Sequence, residues 1–141
     1  MWQEICNNEQ AEDFMYRMFD FHDSCIKELC YVSGAYVNEE LAMHPVNDNR
    51  VLKVILQRQF TPDSMVELEF SRLKKLKLVP VSDEYTCEIL GTTLVFVDDL
   101  VYWFEGEEEN SSILVCAEKL RWRPIENAMG NRLFWNDREP C

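Results

Sequence analysis

Hydrophobic and polar residues follow two different periods along the chain, and the period changes just before residue 25. The first period is helical and is carried by Ala11, Phe14, Met15 and Met18. It predicts an amphipathic helix over about residues 8–20, with Asn7 as its N-cap and Gln10 as the capping-box partner of Asn7. The apolar stripe is typical of core packing.

Beyond this helix the period is two, which predicts strands through a β-rich body over about residues 25–123. The pattern predicts strands at 25–37 (with a bend at Ser33–Gly34), 52–60, 66–70, 92–97, 100–105 and 113–123. Residues 71–80 are ambiguous, and an irregular continuing strand is favoured there. Loops or turns are predicted at 38–50, 61–64 and 105–112, with Asp98–Asp99 as a two-residue hairpin tip. Residues 124–141 show no period and are interpreted as an irregular tail.

One N-terminal helix and about six antiparallel strands predict an α+β domain. Strands so rich in aromatic residues are typical of a strongly curved sheet or an incomplete barrel. The 141 residues show no linker and no repeat, so a single domain over 1–141 is expected. A chain of this length buries roughly 70% of its unfolded surface and needs no covalent staple.

The net charge of −12 restricts the partners. Residues 81–112 alone carry nine acids and no base. Nucleic acids and anionic membranes attract cationic surfaces, so the charge argues against both and favours a basic protein or a cation. Simple solubility is the plain alternative. The chain has no apolar run of about 20 residues and begins with an acidic, polar segment, so a cytoplasmic location is expected.

Cysteine and histidine spacing predicts no metal and no cofactor. The six cysteines form no C-x-x-C pair, and His22 and His44 are the two histidines. Four of the cysteines lie in apolar, strand-like runs, where a free thiol behaves as a small hydrophobic side chain. All six are therefore expected to be reduced thiols.

The sequence His22–Asp23–Ser24 lies where the helix gives way to the sheet. Consecutive side chains point in different directions, so a catalytic triad is not expected from them, and Asp23 could orient His22 only on an unusual backbone. The favoured interpretation is a structural corner in which Asp23 or Ser24 bonds to local backbone. The alternative is a ligand or partner contact by His22 and Asp23.

Carboxylates offer two further candidates. Glu67 and Glu69 share one strand face, which suits acid–base chemistry but is more typical of a solvated face. A second group gathers around the Asp98–Asp99 hairpin and its exit loop and comprises Asp98, Asp99, Glu105, Glu107, Glu108 and Glu109. It lacks the ordered ladder and glycine of a calcium loop. It is interpreted as a solvated loop or as a docking surface for a basic partner.

Aromatic and arginine residues alternate on the last two predicted strands. Tyr102, Trp103, Arg121, Trp122 and Arg123 are predicted to form one interaction face, because such residues dominate protein interfaces. Trp103 and Trp122 join the acidic group as candidate partner-binding residues. The sequence has no phosphate-binding glycine loop, nucleophile elbow or H-E-x-x-H motif.

The order FHDSCIKEL, RQFTPDSMVELEF, EILGTTLVFVDDLVYW and LRWR resembles small uncharacterised bacterial β-rich proteins. The FHDS entry into the sheet resembles that of some immunity proteins of polymorphic toxin systems. This resemblance implies a cytoplasmic inhibitor that binds a toxin. Three hypotheses are kept: a non-catalytic module with an acidic surface for a basic, toxin-like protein; a small-ligand binder or enzyme with a pocket near His22; and a self-associating structural module, such as a homodimer, that uses the Trp/Tyr face.

Overall fold

The structure is a computed structural model that describes residues 1–46, 49–84, 86 and 88–130. These residues form one α-helix, α1 (Asn8–Arg17), and ten strands. The strands are β1 (Gln3–Ile5), β2 (Ser24–Val32), β3 (Tyr36–Val37), β4 (Met43–His44), β5 (Val51–Arg58), β6 (Met65–Leu78), β7 (Glu88–Ile89), β8 (Thr92–Val97), β9 (Leu100–Glu105) and β10 (Ile113–Pro124). The predicted layout of an N-terminal helix with a curved, mainly antiparallel sheet agrees with the structure, which is mainly β, but the strands exceed the expected six.

The start of α1 has the predicted Asn7 cap, whereas the Gln10 side chain reaches back to Cys6 and not to Asn7. The Gln10 N–H donates to Asn7 Oδ1 at 2.9 Å, and Gln10 Oε1 accepts the Cys6 N–H at 2.7 Å. The predicted end is wrong by about three residues, because α1 stops at Arg17. The next turn, Phe19–Phe21, is left-handed, with φ between 53° and 60°, so it cannot continue a right-handed helix.

The sheet curls until its two edges approach each other. Its strands run antiparallel in the order β7-β2-β5-β6-β10-β9-β8, with β1 paired to β10 beside β9. The edge strands β7 and β8 are separated along the chain only by residues 90–91. So short a connection between opposite edges requires a nearly closed barrel. The helix α1 lies against β8, at this opening.

Two irregularities bend the long strands. The β6–β10 register shifts between Cys116 and Ala117, and Arg72 in β6 has a φ of 55°. The β2–β5 register shifts between Ile26 and Glu28. Such bulges let a strand change direction without losing its neighbours. The ambiguous segment 71–80 is accordingly strand as far as Leu78, as predicted.

The barrel interior is filled by aromatic rings from the helix side and the sheet. Phe14 contacts Trp122 at 4.9 Å between ring centroids, and Phe21 meets Trp103 edge-on at 6.1 Å. Phe70 stacks on Trp103 at 6.0 Å. Offset and edge-to-face pairs of this kind add about 0.5–1.5 kcal/mol each to the burial itself. They anchor α1 over the opening of the barrel.

The predicted loop 38–50 is wrong in part, because it contains β4. This strand pairs with β3 in a separate two-stranded ribbon, Tyr36–His44. The side chains of Tyr36 and His44 stack at 4.7 Å, and Asn38 bonds to His44. Strands of two residues are too short to show a period, so the sequence pattern missed them.

Candidate functional site

The His22–Asp23–Ser24 corner is tied into three strand ends. The Asp23 N–H donates to Ile89 O, Gln59 N–H donates to Asp23 O, and the Ser24 hydroxyl donates to His22 O. Asp23 has a φ of 57°, which is the unusual backbone that lets its Oδ2 lie 3.1 Å from His22 Nδ1. The His22 side chain is 54% exposed. These contacts describe a structural corner with an exposed His–Asp pair on its surface.

The geometry around this pair does not favour metal binding. Across the described part of the chain, no group of three or more His, Cys, Asp or Glu side chains is arranged to hold an ion. His44 lies in the ribbon, stacked on Tyr36. A ligand contact at His22 and Asp23 stays a prediction.

The acidic hairpin group is divided between two ends of β9. Asp98 and Asp99 are exposed at the tip that precedes β9, whereas Glu107, Glu108 and Glu109 lie in the loop after it. Six residues of strand separate the two ends by about 20 Å. The group is therefore two clusters, and one small partner segment cannot contact both.

Glu105 has a structural role in the second cluster. Its Oε2 accepts the Leu90 N–H at 3.1 Å, and its Oε1 accepts a short hydrogen bond from the Ser112 hydroxyl. The carboxylate thus joins the β7–β8 connection to the start of β10. It is half-buried and already occupied by these donors.

The prediction that Trp103 and Trp122 belong to an interaction face is wrong. Trp103 is fully buried and its Nε1 donates to Thr92 Oγ1 at 2.9 Å, while Trp122 is packed on Phe14. Both rings project into the barrel. Because neighbouring residues of a strand point to opposite faces, Tyr102 and the two arginines of β10 lie on the outside.

Those arginines pair with the acids that were interpreted as a solvated face. Glu67 is 1% exposed and accepts from Arg123 Nε at 2.7 Å, and Glu69 is also buried and accepts from Arg121 Nε at 2.8 Å. The ring of Trp2 lies over both guanidinium groups, at 4.2 and 4.5 Å. The prediction of a wet face is wrong, because Trp2 covers the arginines while Ile125 and Ala128 pack on Ile55 and Met65.

A cleft of about 720 Å³ opens where β1, the start of α1 and the β8–β9 tip meet. We call it the acidic cleft. It is lined by Glu4, Ile5, Cys6, Asn7, Asn8, Phe96, Asp98, Asp99, Glu118, Lys119 and Leu120. Ile5 and Leu120 are buried and supply apolar lining, while the carboxylates lie on more exposed residues.

The charges of the acidic cleft are incompletely neutralised. Glu118 is paired with Arg72 and Lys74, and Lys119 is the one base among the described residues of the lining. Within the described residues, Glu4, Asp98 and Asp99 have no ion-pair partner.

Sequence reasoning found the aspartates of this cleft and missed Glu4. The strand β1 has three residues, too few to reveal alternation, and its pairing with β10 joins positions more than a hundred residues apart. Only this pairing brings Glu4 near the β8–β9 tip. No signal in the sequence could have located it.

The Tyr36–His44 ribbon carries an apolar surface that the sequence pattern also missed. Tyr36, Val37, Leu41 and Met43 are all exposed, and Leu41 is 84% exposed. Large apolar side chains grouped on a protruding element are typical of contact surfaces. The ribbon contains no Lys or Arg, and Glu39 and Glu40 lie at its turn.

The expectation of six reduced thiols is wrong for Cys30, which is disulfide-bonded. Cys6 and Cys116 are free thiols. Cys87 and Cys141 lie outside the described residues. Spacing alone could not reveal the bond, because disulfide pairing depends on distances that only the folded chain sets.

Comparisons of the chain with models of protein families, with curated proteins and with solved structures gave no match. The resemblance to immunity proteins stays a prediction. In the described part of the chain, no helix is long and apolar enough to cross a membrane.

Proposed function

We propose that the protein is a non-catalytic binding module whose acidic cleft receives a Lys- or Arg-bearing segment of a basic partner protein. One observation carries this proposal: Glu4, Asp98 and Asp99, distant in the sequence, border one cleft with buried apolar residues in its lining. An immunity-type inhibitor of a basic toxin is one protein of this kind.

The cleft matches the two parts of a long basic side chain. Its apolar lining at Ile5, Phe96 and Leu120 suits an aliphatic stem, and the carboxylates around it suit the cationic head. Exposed ion pairs contribute about 0.2–1 kcal/mol each, so three carboxylates contribute about 1–3 kcal/mol. The net charge of −12 adds long-range attraction that speeds encounter and weakens as salt rises.

The chemistry of the lining favours binding over bond-making. Among the residues that the structure describes, Cys6 is the one thiol in the cleft, and no histidine lines it to act as a base. His22 lines none of the four clefts described for this molecule. A homodimer through the Trp/Tyr face is not favoured, because Trp103 and Trp122, its main predicted contact residues, are buried in the core.

The test uses a short arginine peptide amide as the probe and two charge-matched variants. The first is E4Q/D98N/D99N in the acidic cleft. The second is E39Q/E40Q/E84Q, which removes three exposed carboxylates elsewhere and changes the net charge equally. Binding is measured by calorimetry at about 10 mM and about 150 mM salt, where the Debye length falls from about 30 Å to about 8 Å.

The cleft variant is expected to bind the peptide about tenfold more weakly than wild type, whereas the control variant changes the affinity by about twofold or less. Equal losses in both variants would mean that the peptide senses only net charge. That result would refute the acidic cleft as the site. Circular dichroism of both variants establishes that the fold is intact.

A further inference from the structure

The edge strand β8 has one of its outward-facing backbone positions capped by a side chain. Asn8 Oδ1 accepts the Phe96 N–H at 2.8 Å, and Asn8 Nδ2 donates to Phe96 O at 3.1 Å. A carboxamide carries the same donor and acceptor as a peptide group, so Asn8 replaces a neighbouring strand at Phe96. In an antiparallel strand the outward positions alternate, so the N–H and C=O of Leu94 also face away from β9.

A second cleft, of about 660 Å³, lies beside Leu94 between α1 and β8. We call it the edge groove. Met15, Tyr16 and Phe19 contribute to one side, and residues 92–94 form the other. Tyr16 is 88% exposed and Phe19 is 62% exposed, so the groove is rimmed by aromatic rings open to solvent. Large aromatic side chains exposed beside an unpaired strand edge are typical of a binding surface.

The backbone holds Phe19 at this rim in a rare conformation. Phe19 has a φ of 53°, in the left-handed region that bulky residues seldom occupy. The same turn buries Phe21 against Phe14 and Trp103, so the core holds the turn in place. Phe19 is thereby kept outside the core, stacked on Phe60 at 5.0 Å. Conformations of this kind cluster at ligand-binding sites.

We propose that the edge groove is a strand-addition site, in which an extended segment of a partner protein pairs with the backbone of β8 around Leu94. Backbone pairing supplies affinity in such complexes, and alternate side chains supply specificity. Met15, Tyr16 and Phe19 would receive an apolar side chain. Glu12 and Asp20, which also line the groove, would face basic ones, while Arg17, which lines it too, is paired with Asp63.

Charge selects this occupant over a second copy of the chain. Pairing of β8 with β8 of another copy would bring Glu12 and Asp20 of two molecules together, each molecule with a net charge of −12. Like charges facing each other across a contact oppose association. A segment that alternates Val with Lys has complementary charge and strand propensity. This proposal uses different residues from the acidic cleft and does not depend on it.

The experiment follows amide hydrogen exchange residue by residue, by NMR, with a Val–Lys alternating peptide of about nine residues as the probe. In the free protein we expect the Leu94 N–H to exchange faster than the Val95 N–H, which faces β9. Saturating peptide is expected to slow exchange at Leu94 by about tenfold or more. A control peptide in which every backbone amide is N-methylated retains the charges but has no N–H to donate along either edge. It is expected to leave Leu94 unprotected.

The aromatic side of the edge groove is tested with Y16S and with F19N. Asn is chosen at position 19 because it tolerates the left-handed backbone that Phe19 adopts. Each is expected to weaken peptide binding about fivefold, while L41S, at an exposed apolar position outside the groove, leaves it unchanged. Slow exchange at Leu94 in the free protein, no protection by the peptide, or equal protection by the N-methylated peptide would each overturn the proposal. Y16S is expected to bind the arginine peptide normally, which separates this site from the acidic cleft.

Discussion

Removal of Arg123 is expected to be among the most destabilising single changes on the outside of the sheet. The Glu67 side chain is only 2% exposed, and its Oε1 accepts from Arg123 Nε at 2.7 Å. In R123M the carboxylate stays buried and loses its cationic partner. Breaking a buried pair from one side costs about 3–5 kcal/mol, because an uncompensated charge remains in a poorly solvated place. For a chain of this size that is a fall in Tm of roughly 10–17 °C.

Two companion variants separate the charge from the packing. E67Q keeps a hydrogen-bonding oxygen and leaves Arg123, whose side chain is 31% exposed, in contact with water. Its free energy of unfolding is therefore expected to fall by about 1–2 kcal/mol. The double variant E67M/R123M removes both charges. Its free energy of unfolding is expected to lie within about 1 kcal/mol of the wild-type value, because the double replacement leaves no unpaired buried charge.

The free energy of unfolding is measured by urea titration with tryptophan fluorescence, and m-values are compared to establish that all variants unfold alike. R121M is the matched control. Its partner Glu69 is 10% exposed and Arg121 is 40% exposed, so solvent screens this pair and a loss of only about 1–2 kcal/mol is expected. If R123M costs no more than R121M, or if the double variant is as unstable as R123M, the explanation from an orphan buried charge is refuted.

Three further predictions concern other parts of the molecule. N7A is expected to lose about 1 kcal/mol in thermal or urea unfolding, because the N-cap bond to Gln10 disappears, whereas N7S retains most of the stability. Hydrogen bonding to Cys116 raises the pKa of Tyr102 above its usual value of about 10. Ultraviolet titration is therefore expected to show one phenol that ionises at a higher pH than usual, and C116A is expected to lower that pH. Because the folded-state pKa is the higher one, the stability linked to Tyr102 is present below about pH 10 and lost as pH rises through that pKa; a normal ionisation in wild type would contradict this. Alkylation followed by peptide mass spectrometry is expected to label Cys6 in the native protein and Cys30 only after reduction; labelling of Cys30 without a reductant would contradict the disulfide.

Short-range features of this chain were determined by the sequence itself. The Asn7 cap with Gln10 and the Asp98–Asp99 tip lie where the local pattern predicts them, because each depends on residues a few positions apart. The period-two stretches predicted most of the long strands for the same reason. The error at the end of α1 came from the Phe19–Phe21 turn. Its left-handed backbone is held by packing of Phe21 in the core and not by any local preference.

The surfaces depended on which strands pair, and that is a long-range property. Alternation correctly places Glu67 and Glu69 on one face but does not reveal that arginines of β10 and the ring of Trp2 cover that face. It also cannot say which face of β10 is buried, so Trp122 was assigned to the surface. The acidic cleft exists only because β1 pairs with β10. Tertiary structure decided these points because burial and charge proximity depend on distance in space, whereas periodicity reports only the local direction of side chains.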